Sequence, residues 1–212
     1  MEQTRGTMKI RYVDVLVTAG LAAAGSGALA QTAEEFLAAG REAHNSGDLI
    51  GAMAAYREAA VGGSAEAQVW LAWFLDHAEE NAEAVSWYSA AAEQGDAGGM
   101  AGLAEMYAKG EGVERDPVRA RQLFEQAAEA GHVRSMTVLA AAWEAGGLGL
   151  AADESRSGEW LLRAAREGDI RSMERVAAAY ESGALGLAAD KTQADYWSRA
   201  AREARESQQE QE

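Results

Sequence analysis

Apolar and polar positions alternate along this chain with a helical period. The run AGGMAGLAEMYAKGEGVERDPVRARQLFEQAAEAGH, residues 97–132, sets the plan. Met100, Leu103, Ala104 and Tyr107 fall at i, i+3, i+4 and i+7, the spacing that gathers apolar side chains on one buried helix face. Gly110 is expected to end that helix, because glycine takes the left-handed cap without a Cβ penalty. Asp116-Pro117 is expected to start a second one, with Asp as N-cap and Pro at the first helical position. Along it Ala120, Leu123, Phe124, Ala127 and Ala128 form another apolar stripe, and Gly131 closes the unit. A single helical hairpin of this kind cannot bury its own apolar face, so it needs neighbours.

The chain supplies them by repetition. Copies close at Gly63, Gly95, Gly131 and Gly168, and a fifth has Ala204 in that place, giving spacings of 32, 36, 37 and 36 residues. An Ala-Ala pair precedes each closing position: 59-60, 91-92, 127-128, 164-165 and 200-201. Four residues before the second Ala stands a large residue, Tyr56, Tyr88, Phe124, Leu161 or Trp197. The first helices carry Leu71, Leu103, Leu139 and Val176, each followed by Ala, with Leu75, Tyr107, Trp143 and Tyr180 four residues on. Large and small residues at fixed offsets interlock stacked helices. A period in the thirties with two helices per copy predicts an all-α fold, an α/α superhelical solenoid of about five hairpins.

The pattern A-x-x-x-L-A-x-x-Y-x-x-G-x-G-V-x-x-D, followed by Ala and AA-x-x-G, resembles the Sel-one-like repeat (SLR), a subfamily of the tetratricopeptide-like repeats. Residues 97–132, 133–169 and 170–204 match it well, and 65–96 matches with a shortened loop at 77–81. The first copy, 32–63, is closer to a plain tetratricopeptide repeat, with Gly40, Gly47, Asp48, Ala52, Tyr56 and Ala59. The motif residues are packing residues, so the resemblance is specific for fold. It implies an adaptor or scaffold that binds other proteins, as in a family with many members exported by bacteria. It also implies that the first helix of each hairpin lines a concave face.

Residues 1–30 read as a cleavable signal peptide. A basic start (Arg5, Lys9, Arg11) leads into a mostly apolar run from Val15 to Gly25, and Ala28-Leu29-Ala30 is a small-x-small site for cleavage before Gln31. Met8 is as good a start as Met1. The apolar run is about half of the roughly 20 residues that a spanning helix needs. The expected location is therefore periplasmic or secreted, most simply a bacterial periplasm. The solenoid then occupies 31–204, and 205–212 is a polar C-terminal tail.

The charge narrows the partners. The whole chain carries a net charge of −15, and removing the leader makes it one unit more acidic. Such a chain repels phosphate backbones and anionic lipid surfaces, so neither nucleic acid nor membrane is an expected partner. With no Cys there are no disulfides, and the stacked hairpins must be held by packing alone. One proline and no Ser- or Pro-rich linker argue for one domain, expected to be monomeric. Concentrated apolar residues at Tyr196 and Trp197 leave open whether the last helix extends to cover the C-terminal end or pairs with another molecule.

Candidate chemistry is thin. Gly147-x-Gly149-x-x-Ala152 has the spacing of a dinucleotide fingerprint, but that motif needs a preceding strand and here a helix precedes it. Asp116, Asp153 and Asp190 recur in the loops as a calcium set would, yet each stands where an N-cap belongs. His44, His77 and His132 fall in different repeats without a zinc spacing. No cofactor, no metal and no enzymatic activity are expected.

What remains is binding by surface. Carrying the family's register across, the groove positions of the second copy are Glu66, Val69, Trp73 and Asp76. The third offers Gly98, Ala101, Glu105 and Ala108, small enough to leave a hollow. Trp73 stands out, because its counterparts are Glu105, Ala141 and Ala178. An indole beside a hollow is either an anchor for a partner segment or a filler for the space left by the short loop. Arg134 and Arg171, from a repeated Arg-Ser-Met, either hold a partner's carboxylate or pair with a nearby Glu144 or Glu174. The expected partner-binding groove thus comprises Trp73, Glu66, Val69, Asp76, Glu105, Arg134 and Arg171. The expected function is an exported protein-interaction scaffold, with a cell-wall-fragment (peptidoglycan) binding protein or hydrolase as the alternative.

Overall fold

The structure is a computed structural model that describes residues 26–210. Among them are ten helices and no strands: α1 Ser26–Asn45, α2 Leu49–Val61, α3 Ala65–His77, α4 Asn81–Glu93, α5 Ala97–Lys109, α6 Pro117–Glu129, α7 Val133–Ala145, α8 Glu154–Arg166, α9 Ile170–Ser182 and α10 Lys191–Gln209. Each odd-numbered helix packs antiparallel on the next as a hairpin, and each even-numbered helix packs on the first helix of the following hairpin. The result is the all-α solenoid that the period predicts. The leader expected over 1–30 lies outside the described residues except for its last five, which are the first residues of α1.

Caps begin the helices where the sequence places them. Asp116, Asp153 and Asp190 accept hydrogen bonds from the backbone N–H groups of Arg119, Arg156 and Gln193 at 2.9, 3.0 and 3.1 Å. Ser64, Asp96, His132 and Asp169 do the same for the first helices. Each such cap stabilises its helix by about 1 kcal/mol. The closing glycines Gly63, Gly95, Gly131 and Gly168 all have positive φ, from 83 to 94°, which reverses the chain into the next hairpin. Ala204 in the fifth copy lacks that freedom, and α10 runs straight through it for 19 residues. The stretch set down as a tail from 205 therefore begins as helix. Trp197 is covered, whereas Tyr196 stays 57% exposed.

The core follows the repeat. Tyr56, Leu71, Leu75, Met106, Leu139, Leu161 and Val176 are fully buried along the stack. In α5, however, the covered arc is wider than one stripe. Met100 and Tyr107 are only half-buried, while Gly99, Ala101 and Met106 are buried. The reason is that α5 packs on α3 as well as on α4 and α6. Small residues allow that approach: a Cβ on Gly98 would lie 3.4 Å from Val69, and one on Gly102 would lie 2.3 Å from the Tyr88 ring.

Candidate groove around Trp73

The first helices stand side by side as one wall, and ion pairs tie most of its junctions. Arg41 on α1 pairs with Glu66 on α3, Arg134 on α7 with Glu105 on α5 at 3.4 Å, and Arg175 on α9 with Glu144 on α7 at 2.6 Å. Between α3 and α5 no such pair is found among the described residues. Beside this junction, where Gly98 lets α5 approach Val69 of α3, lies a cavity of about 850 Å³.

Trp73 supplies its aromatic side. The indole is 38% exposed. It packs against His77 one turn on (ring centroids 4.0 Å), against Phe74 (5.1 Å) and against His44 of the first copy (6.4 Å). Trp70 lies edge-on to it at 6.1 Å and stacks on the buried Tyr56, so Trp70 joins core and cavity. Val69, Gly98, Ala101 and Gly102 give the small, apolar part of the lining. The three-residue connection between α3 and α4, with Glu79 at φ 61°, leaves this side open.

The charged part of the lining is Asp76, Glu79, Glu105, Glu111, Lys109 and Arg134. Lys109 pairs with Glu111 at 3.1 Å, and the hydrogen bond to that carboxylate raises the lysine's pKa, Asp76 and Glu105 adding to the effect. Burial pushes the Tyr88 phenol above its ordinary range, and the charges of Asp76 and Glu105 push the same way. These two carboxylates therefore project their field onto one spot. Asp76 and Glu79 have no ion-pair partner among the described residues.

Of the residues picked as the groove, Val69, Trp73, Asp76, Glu105 and Arg134 line this cavity, and Glu66 and Arg171 do not. Glu66 is held by Arg41. Arg171 is exposed on α9, a full repeat away from Arg134, so the two arginines do not meet on one carboxylate. The glutamates proposed to pair with them are engaged elsewhere: Glu144 with Arg175, and Glu174 with Arg205. Ala101, read as an open groove position, is buried against α3. Tyr88, Lys109, Glu111, His77 and His132 line the cavity without having been picked. His77 was within reach, since i+4 from Trp73 shares its helix face. The others arrive from helix ends and from a second helix, which needs the superhelical stagger.

His132 has a second role. Its Nδ1 caps α7, accepting from the Ser135 N–H at 3.3 Å, with the Ser135 hydroxyl 2.8 Å away. Burial lowers its pKa and Arg134 lowers it further, against weaker opposition from Glu105 and Asp96. Among the described residues no group of three or more His, Cys, Asp or Glu side chains is arranged to hold a metal ion. No described helix is long and apolar enough to cross a membrane.

Helical hairpins stacked side by side, with an aromatic-sided groove between α3 and α5, define an α-solenoid. The chain belongs to the Sel1 repeat family, whose model matches residues 65–96, 97–132, 133–169 and 170–204. Members of this family are generally non-catalytic protein-interaction scaffolds. Among solved structures, the chain is similar to a Sel1 repeat protein from Oxalobacter formigenes at 29% identity and TM-score 0.63, covering 72% of this chain and 62% of that one. It is also similar to c5321, a protective antigen present in uropathogenic Escherichia coli strains that displays an SLR fold. There the identity is 27% and the TM-score 0.66, covering 84% of this chain and 38% of that one. The chain thus spans less than two thirds of the length of both. No curated protein matches it significantly.

Proposed function

We propose that this chain is an exported protein-interaction scaffold that holds an extended segment of a partner protein in the cavity around Trp73. One observation carries this reading. The repeat puts Glu105, Ala141 and Ala178 where the second copy has Trp73, and that indole is left 38% exposed beside an 850 Å³ cavity. A large aromatic on the rim of a well-formed groove is the usual anchor of a binding hot spot. The leader-like residues 1–30 support export, as does the likeness to a protective antigen. The single-domain 31–204 solenoid is expected to act as a monomer.

Site-specific photocrosslinking tests the groove. A photoreactive residue placed at Glu105 is expected to capture a partner in envelope extract, and one at Glu159 on α8 is not. Trp73→Ala in the same chain should abolish the Glu105 product. Capture from Glu159 alone, or capture from Glu105 that ignores Trp73, overturns the groove. Recovery of muropeptides in place of protein would move the reading to a cell-wall ligand.

A further inference from the structure

The groove reading leaves the chemistry of the occupant open, and three features of the cavity fix it. The first is charge. Four carboxylates and two cations line the cavity, and the two ion pairs consume Glu105 and Glu111. Asp76 and Glu79 have no ion-pair partner among the described residues, Asp76 acting on Lys109 only through its field, in a chain of net charge −15 that attracts positive segments from a distance.

The second feature is how the chain treats Trp143 and Trp160, the half-buried tryptophans of its later half. Arg163 lies over the ring of Trp160 at 4.3 Å, and Arg156 over that of Trp143 at 5.9 Å. Trp73 receives no Lys or Arg among the described residues: its ring contacts are His77, His44, Phe74 and Trp70, the indole stays 38% exposed, and Asp76 one turn on is acidic. A cation stacked on an indole gains electrostatic attraction from the ring, and more when the site is partly desolvated. The third is space. The cavity of about 850 Å³, with Val69 and Ala101 on its apolar side, has room for the aliphatic stem of a long side chain and an apolar neighbour.

Resting on the groove reading above, we propose that the occupant is a cationic peptide segment, with a lysine or arginine side chain lying on Trp73 and its charge directed to Asp76 and Glu79. An acidic segment fits worse: Arg134 is already paired with Glu105, Lys109 with Glu111, and Arg171 stands off the cavity.

The test is selection of a random heptapeptide display library against the full chain, with counter-selection on Trp73→Ala. Enrichment of Lys or Arg next to an apolar residue is expected. The selected peptides should bind about tenfold more weakly to Trp73→Ala and to the rim variant Asp76→Asn/Glu79→Gln. They should also lose affinity as salt rises. Glu79 is exposed, Asp76 is half-buried and both replacements keep the side chain's shape, so the rim variant answers even if the Trp73 variant is poorly folded. Trp73-dependent enrichment of acidic or wholly apolar peptides would overturn the cationic assignment and leave the groove standing. Enrichment of basic peptides that bind the rim variant unchanged would overturn it as well. Absence of any Trp73-dependent enrichment, together with no crosslink from Glu105, would bring down both readings.

Discussion

The second and third copies, at α3 to α6, share a skeleton with the fourth and fifth, at α7 to α10, yet the two halves finish it differently. In the later half small residues, Ala141 and Ala178, occupy the wall, and the glutamates Glu144 and Glu174 are consumed by Arg175 and Arg205. Its tryptophans Trp143 and Trp160 are covered by arginines. In the earlier half the same wall position is an open Trp73, the junction between α3 and α5 has no ion pair, and two carboxylates are left over. The later half spends arginines on its own glutamates and indoles and keeps a smaller cavity of about 330 Å³ beside Ala178; the earlier half has the larger one, sided by Trp73. In a repeat protein a residue that the repeat does not require, as Trp73 here, is the first to test for function.

The largest effect should separate scaffold from site. Leu139 is fully buried in α7, so Leu139→Ala is expected to cost about 2–5 kcal/mol in urea unfolding, through lost burial plus the cavity left behind. Trp73→Ala removes a larger side chain, yet should cost less, because that indole is 38% exposed. Binding should reverse the order: lost in Trp73→Ala and kept in the folded fraction of Leu139→Ala. If Trp73→Ala proved the more destabilising of the two, Trp73 would be a filler for the short loop, and the contrast between the halves would be one of packing.

A narrower test lies in two glycines of α5. A Cβ at Gly102 would sit 2.3 Å from the ring of Tyr88, itself buried, so Gly102→Ala must displace that ring. Overpacking of this kind costs about 1–3 kcal/mol, larger than the roughly 1 kcal/mol that Ala gains over Gly in a helix. At Gly98 the nearest atoms are the Asp96 cap oxygen at 3.1 Å and Val69 at 3.4 Å, contacts that small shifts relieve. Gly98→Ala should therefore leave melting nearly unchanged. Equal melting temperatures for the two variants would contradict the close packing of α4 on α5.

Much of this was legible in the sequence, and the boundary of what was not has a physical cause. Helices, caps and closing glycines are local: Asp116 caps because it precedes Pro117, and α10 overruns because position 204 is Ala. The exceptional residue, Trp73, was visible as a break in a periodic column. Register within one helix was legible too, which is why Val69, Asp76 and Glu105 fall on the cavity. The pairing of Arg134 with Glu105 was hidden, because it depends on which neighbouring first helix the stagger brings nearer. The same stagger carries His132 and Lys109 into the cavity and leaves Arg171 a repeat away. Stacking three rows deep also made Ala101 a buried residue, since a one-helix stripe takes no account of a third neighbour.

His132 sharpens the contrast through pH. Where the other first helices of the Sel1 copies are capped by Ser64, Asp96 and Asp169, α7 is capped by an imidazole whose neutral form must accept the hydrogen bonds. Its pKa in the fold is held below the usual 6.5, so the unfolded chain takes up the proton first. Stability from this group is therefore complete above about pH 6.5 and declines as pH falls through that value toward the lower folded pKa. The expected loss is that of one cap, about 1 kcal/mol. His132→Asp should remove this part of the slope between pH 7 and pH 5, because an aspartate cap stays ionised there. Parallel stability curves for the two proteins would show that the imidazole does not act as the cap.

The smallest stability effect carries the sharpest discrimination. Arg134 is paired with Glu105 at 3.4 Å, with 74% of its side chain exposed, so Arg134→Ala should change stability by less than about 1 kcal/mol. If Arg134 were a receptor for a partner's carboxylate, its removal would weaken binding. In the cavity as built, removal frees Glu105 and makes the lining more acidic, so a cationic segment should bind more tightly, by about two- to fivefold, the size of one exposed ion pair. Arg175→Ala in the later half is the control: it frees Glu144 in the same way, but that carboxylate does not line the cavity, and affinity should not move. Titration of one selected peptide against the three proteins at low and high salt reads the sign directly. Tighter binding in Arg134→Ala alone would locate recognition at the open junction between α3 and α5, whereas an equal gain in both variants would make it a property of overall charge.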